Sequence, residues 1–288
     1  MEKQQIIAWE QIIKGRRFPY WENSSLALIN FKTQDCKFFG NYLKFFDISS
    51  LTKPMVMSFF SLMDCAENSF PLELLEHRGG IPSWGLLSKK TWKEDLRALD
   101  IVSSSCVYSD LSILKLGIFF EDKFGIPLKE LTRKYWSCCA DFWMERSDGI
   151  IESVQDLNAQ NLRTFLPHAG LFSSAQKFAT GLISLNNKYS FIEKMKEKIF
   201  TRNGLTRFVY GWDTVGFNNP NSLAGINAPW YVFGHLGFSG CSVWIDPKEC
   251  RGYLFFTDAK KYYWYDPYLL NKKRREIGAL YFGGRNLE

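Results

Sequence analysis

Histidine is scarce in this chain, with three in 288 residues, at positions 77, 168 and 235. Their separation carries no metal-ligand spacing, so a zinc site built from His77, His168 and His235 has no support in the pattern and no metal is expected. No run of about 18 apolar residues occurs, which excludes a membrane-spanning helix. The opening MEKQQIIAWEQIIKG is amphipathic and lacks the apolar segment of a signal peptide. There is no internal repeat, no low-complexity segment and no known nucleic-acid module. The seven cysteines are odd in number and irregular in spacing, which excludes a small disulfide-stapled scaffold. Adjacent Cys138 and Cys139 do not resemble a metal knuckle. Free thiols fit a reducing compartment, so the sequence as it stands reads as cytoplasmic, or as periplasmic or extracellular if an export signal has been removed.

What is present is apolar and aromatic. Hydrophobic residues make up 46% of the chain and aromatics 17%, with 25 Phe, enough for a large core and for an apolar cleft lining. The net charge of +6 is largely local. Lys272, Lys273, Arg274 and Arg275 stand together, and 188–202 is also basic. Such runs are expected to form solvated faces. No nucleic-acid partner is expected, because a continuous basic surface or a binding module is missing.

Hydrophobic periodicity orders the chain as helix, strands, helices, strands, helix. A helix is expected over 3–14, strands over 25–31 and 36–43, and a helix over 50–62. Pro54 fits only the first turn of that helix, which puts Ser50 at its N-terminus, where backbone N–H groups are free. Helices are expected over 70–77, 91–99, 109–124, 127–136 and 174–185, and again near 188–200. VFGHLG, GCSVWID and GYLFFTD read as an antiparallel meander, and 266–282 as a final helix. The pattern predicts an α/β fold: an antiparallel sheet built from both chain ends (1–62 and 186–288), flanked by N- and C-terminal helices. A mostly helical region, 63–185, is inserted, and one compact unit is expected with the site between the two parts.

Three short segments carry candidate chemistry. Ser50 and Lys53 are three apart at a helix start, so they share one face, and a lysine whose charge is disfavoured can serve as base to a serine. Alone the pair is also an N-cap and a surface charge. Tyr108 in VYSDLSI precedes a helical stretch and can relay a proton beside a lysine. The plainer reading there is a core tyrosine followed by a cap at Ser109 or Asp110. His235 and Gly237 in FGHLGFSG lie on a strand whose edge can offer an N–H to an oxyanion, with glycine admitting a substrate to the backbone. A structural histidine in a glycine-rich hairpin is the alternative. His77 and His168 are expected to be structural.

Taken in order, the three segments resemble the class C branch of the serine β-lactamase and penicillin-binding protein superfamily, which includes D-alanyl-D-alanine carboxypeptidases and related esterases. FDISSLTKP is similar to that family's nucleophile segment, VYSDLSILKLG to its tyrosine segment, and FGHLGFSGCSVWIDP to its third motif. LLEHRGGIP, DLNAQ, LPHAGLFSSAQKFA and YGWDT extend the likeness over roughly residues 25–260. The resemblance implies a β-lactamase/transpeptidase-like fold and acyl transfer through a serine ester. Ser50 would be acylated, and Lys53 and Tyr108 would move its proton. The N–H groups of Ser50 and Phe238 would bind the oxyanion, and His235, in place of the usual lysine, would position Tyr108 or bind a substrate carboxylate. Asp110 stands where many members have asparagine. It would orient Lys53 or hold a substrate amide, and its lack of an amide donor argues against efficient β-lactamase action.

The function expected is a serine hydrolase, a D-alanyl-D-alanine carboxypeptidase-like peptidase or a carboxylesterase. The alternative is a catalytically silent, penicillin-binding-like ligand-binding protein. No cofactor is expected. The substrate is expected to be a small molecule, a peptidoglycan-like peptide or an ester. The aromatic and basic tail after Asp258 departs from the family ending, and would reshape the cleft rim or support a homo-oligomer.

Overall fold

The computed structural model describes residues 9–11, 23–66, 68–150, 154–204, 206–217, 219, 221–261 and 267–283. Of the helix expected over 3–14, only 9–11 are described, and they are helical; the rest lies outside the described residues. Five strands make up most of the main sheet: β1 (Ser24–Asn30), β2 (Asp35–Gly40) at one edge, β8 (Phe233–Leu236), β9 (Ser242–Asp246) and β10 (Arg251–Thr257). With β6 (Phe208–Val209) and β7 (Trp212–Thr214) they make a seven-stranded sheet in the order β2-β1-β10-β9-β8-β7-β6. Every pairing in it is antiparallel. Among the described residues the first strand thus pairs with the last, Leu26 opposite Phe255, so segments far apart in the sequence share one layer.

The central strands are apolar almost throughout because both faces of the sheet are covered. Side chains alternate from face to face along a strand. Ala27, Ile29, Leu254 and Phe256 enter one core with Phe178 and Leu182 of α7 (Ala175–Tyr189). Leu26, Tyr253, Phe255 and Trp244 enter a second core with Leu270, Ile277 and Phe282 of α9 (Tyr268–Gly283). Burying one such side chain fully contributes about 1.5–3 kcal/mol, so the two helices hold the sheet from opposite sides.

Between β2 and β6 the chain is mostly helical. It runs through α1 (Phe59–Asp64), α2 (Leu72–Leu75), α3 (Trp92–Ala98), α4 (Asp110–Phe124), α5 (Leu128–Trp136), α6 (Leu157–Leu162), α7 and α8 (Phe191–Arg202). α4 has clear local causes at both ends. The Ser109 hydroxyl accepts from the Ser112 N–H, and Gly125 turns the chain out at φ +65. The expected helix over 70–77 shrinks to four residues, because Pro71 precedes it and His77 leaves it at φ +57.

A second small sheet, β3 (Phe46–Asp47), β5 (Leu171–Ser173) and β4 (Asp141–Phe142), is absent from the sequence reading. Strands of two or three residues are too short to show a period. The basic cluster also departs from expectation. Arg274 is 5% exposed, not solvated, because α9 lies on the sheet and turns this one member of the run inward. Among the described residues no helix is long and apolar enough to cross a membrane.

Candidate active site

The first site segment is a helical run that changes its winding. Ser49–Leu51 forms a 3-10 turn, Pro54–Ser58 a π turn, and α1 follows. Pro54 sits in the opening turns as its missing N–H requires. The run is fixed to β5: the Ile48 N–H donates to Leu171 O at 3.0 Å, and the Leu171 N–H donates to Thr52 Oγ1 at 3.3 Å. Ser49 takes φ +47, an uncommon value for a residue with a side chain, and turns Ser50 to the cleft.

Lys53 is 1% exposed. Its Nζ donates to Ser50 Oγ at 2.9 Å and to the His168 carbonyl at 3.1 Å. It lies 2.7 Å from Asp110 Oδ1 and 5.0 Å from the centre of the Tyr108 ring. Burial opposes the lysine charge, but the Asp110 carboxylate and the Tyr108 hydroxyl outweigh it and hold the pKa above the usual lysine range. Burial likewise opposes ionisation of Asp110. There Lys53 and His168 prevail, and its pKa is lowered. Tyr108 is held up chiefly by burial, against the pull of Lys53. At neutral pH the resting set is an ammonium, a carboxylate and a phenol.

Tyr108 reaches this place from the loop before α4. Ser109 N–H donates to His77 Nδ1 at 3.2 Å, Ser109 Oγ donates to Pro82 O at 2.6 Å, and Asp110 N–H donates to Ser83 O at 2.9 Å. The His77 ring packs 4.6 Å from the Tyr108 ring. Burial first, and then the Lys53 charge, lower the His77 pKa to about 3, so it is a neutral acceptor. His77 is structural, and what it supports is the tyrosine.

His235 lies on β8, 2% exposed, its ring 6.0 Å from that of Tyr108. Its Nδ1 is 3.0 Å from Leu236 O, which assigns the proton to Nδ1 and leaves Nε2 bare. Burial, then Lys53 and His77, push its pKa well below the usual value. A neutral imidazole is a poor partner for a carboxylate. Gly237 follows. A side chain there would bring a Cβ to 2.6 Å from Ile48 O, so the close approach that glycine permits is to the turn that precedes Ser50. The Phe238 ring is 57% exposed at the cleft mouth, and neither Phe238 N–H nor Ser50 N–H has an acceptor among the described residues.

Ser50, Tyr108, Asp110, His235 and Phe238 therefore line one cavity of about 560 Å³. Trp84, Leu157, Leu223 and Leu270 join Phe238 as apolar lining, beside charged residues such as Arg207 and Asp213. The segment after Asp258 contributes Lys260, Pro267 and Leu270, which places it at the cleft wall. Residues 262–266 of that segment lie outside the described residues.

Several cleft residues were missed in the sequence. Asp156 caps α6, accepting from Ala159 N–H at 2.7 Å, and meets His168 Nε2 at 3.0 Å. Asp110, Asp156 and His168 present ligand-type atoms within 4.8 Å of one another. Lys53 already holds Asp110, so a metal ion there would face an ammonium. Arg207 and Asp213 form a paired fork at 3.0 and 3.1 Å on the same cavity. Arg274 donates from Nη2 to Gly237 O at 2.9 Å and to Cys241 O at 3.0 Å, bracing the turn after β8. Asp156 and Asp213 fall in DLNAQ and YGWDT, segments that carried the family likeness but gave these residues no role.

No family model matches the sequence, and no curated protein does. Solved structures do match in shape. A class C β-lactamase from Rhodobacter sphaeroides is 12% identical with a TM-score of 0.61, covering 97% of this chain and 99% of that one. SurE is 12% identical with a TM-score of 0.65, over 100% and 77%. Simvastatin synthase (LovD) from Aspergillus terreus is 13% identical with a TM-score of 0.59, over 99% and 98%. The fold is related to theirs. At such identities the likeness concerns the fold: an antiparallel sheet flanked by helices with a helical insert, as in structures of β-lactamase-like hydrolases.

Proposed function

We propose that the protein is a serine hydrolase that works through an acyl-enzyme on Ser50. One observation carries the reading: Lys53 Nζ, 2.9 Å from Ser50 Oγ, is buried beside Asp110 and Tyr108, and Ser50, Asp110 and Tyr108 line the cavity. Ser50 Oγ attacks the substrate carbonyl and gives its proton to the Lys53–Tyr108–Asp110 cluster. Lys53 is an ammonium at rest, so it accepts this proton only in its deprotonated form, which Asp110, 2.7 Å away and holding the lysine charge, keeps scarce at neutral pH. The backbone N–H groups of Ser50 and Phe238 serve the developing oxyanion. The cluster returns the proton to the leaving group, and water then releases the acyl group.

The apolar part of the lining, Trp84, Leu157, Leu223, Phe238 and Leu270, suits an ester or a peptide with an apolar acyl part. Hydrolysis of p-nitrophenyl esters and release of D-alanine from a D-Ala-D-Ala peptide, each compared with Ser50→Ala, test the reading and choose the substrate. Turnover unchanged in Ser50→Ala contradicts it.

One observation favours a second reading, a silent ligand-binding protein. The Lys53–Asp110 pair ties up the base as an ion pair, a state in which it cannot activate Ser50. Ligand binding without turnover by either substrate class would support that reading.

A further inference from the structure

Asp47 is 4% exposed and forms no salt bridge among the described residues. Burying a carboxylate without a cation is costly, and such a group persists where it does other work. Its partners say what that work is. Oδ1 accepts from the Ser49 N–H at 2.7 Å and from Ser49 Oγ at 3.2 Å, and Oδ2 accepts from the Gln155 N–H at 2.7 Å. Ser49 Oγ in turn accepts from the Ser239 N–H at 3.3 Å. Ser49 is the residue at φ +47 that precedes Ser50, Gln155 precedes the Asp156 that holds His168, and Ser239 follows Phe238.

We infer that Asp47 is a positioning residue of the Ser50 site, fastening the nucleophile turn to the 154–156 loop and, through Ser49 Oγ, to the turn that carries Phe238. This rests on the acyl-enzyme reading. Asp47 touches no substrate, and it acts by holding a strained turn and both N–H groups of the oxyanion pair in one register. An asparagine can accept on one side only and would turn an N–H donor toward another donor. The titratable groups facing Asp47 are Asp156 across the loop and Cys241, whose Sγ lies 3.6 Å from Asp47 O. Neither supplies positive charge, and burial raises the Asp47 pKa to about 6.

The test compares wild type, Asp47→Asn and Ser49→Ala in pre-steady-state acylation by a p-nitrophenyl ester on either side of pH 6, with amide hydrogen exchange on the same proteins. The positioning role predicts that Asp47→Asn acylates at least about tenfold slower at neutral pH with KM within about threefold. Below pH 6 the wild-type rate should fall more steeply with acid than the Lys53 limb alone gives, that added fall should vanish in the variant, and exchange at Ser49, Gln155 and Ser239 should quicken. Ser49→Ala should show an intermediate loss. A wild-type rate, pH profile and exchange pattern in Asp47→Asn overturns the inference. If that variant does not fold, an unchanged Ser49→Ala overturns it. If wild type forms no acyl-enzyme, the Ser50 reading fails, and the exchange comparison alone then decides whether Asp47 fastens the three segments.

Discussion

Lys53 Nζ stands closer to Asp110 Oδ1, at 2.7 Å, than to Ser50 Oγ, at 2.9 Å. The lysine that should serve the serine is held first by a carboxylate. Asp110 both fixes the lysine in place and keeps it charged.

Replacing Asp110 with asparagine separates those effects. The amide still reaches Lys53 but no longer stabilises its ammonium, so the lysine pKa should fall and the rate at neutral pH should rise. Each unit of that fall corresponds to about 1.4 kcal/mol of lost charge stabilisation. The pH–rate profile of acylation checks this: the limb that rises with pH should move at least about one unit toward acid. An unmoved limb would mean that Asp110 does not control the lysine.

His77 gives a stability prediction with a definite sign. Its folded pKa is about 3, below the usual histidine value, so the unfolded chain binds the proton first as pH falls. Stability is therefore lost from about pH 6.5 down toward 3, by on the order of 3–5 kcal/mol from this group. Asp47 works in the opposite direction. Its folded pKa is raised to about 6, so protonation there favours the native state below that pH. Denaturant titrations across this range should show a steeper acid loss in Asp47→Asn than in wild type, and a shallower one in His77→Gln.

Gly237→Ala should be damaging although the added group is one methyl. Its Cβ would meet Ile48 O at 2.6 Å, and the atom it meets is backbone. Overpacking of this kind costs about 1–3 kcal/mol. The turn that would yield carries Ser49 and Ser50, so acylation should fall further than the melting temperature suggests. Melting curves and acylation rates measured together check it.

Arg274→Met keeps the volume and removes the donors to Gly237 O and Cys241 O. Hydrogen bonds from a charged donor are worth about 1.5–3 kcal/mol each. The variant should lose stability on that scale, with faster amide exchange across 237–241 than elsewhere in the sheet.

Much of this was legible in the sequence, for particular reasons. β1, β9 and β10 announce themselves because residues such as Leu254 and Phe255 serve opposite cores and leave an unbroken apolar run. Ser50, Lys53, Tyr108, Asp110 and His235 stand in segments with local signatures; the fold brings Ser50, Tyr108, Asp110 and His235 to one cavity, with Lys53 buried against Ser50. What escaped depends on distant pairing. Phe46–Asp47 is a strand only because Ser173 and Phe172 lie beside it. Arg274 reads as one of four surface charges until the sheet beneath α9 turns it inward. Asp47 looks like any acidic residue before a helix until Gln155, 108 positions away, comes to rest on its carboxylate.

The most direct test of the central claim is intact-mass analysis after exposure to a p-nitrophenyl ester and to a fluorescent penicillin, on wild type and Ser50→Ala. The account predicts a single acyl adduct on the wild-type chain, mapped to the peptide holding Ser50 and absent from Ser50→Ala. An adduct that persists in Ser50→Ala, or substrate turnover that is unaffected by that change, would contradict it.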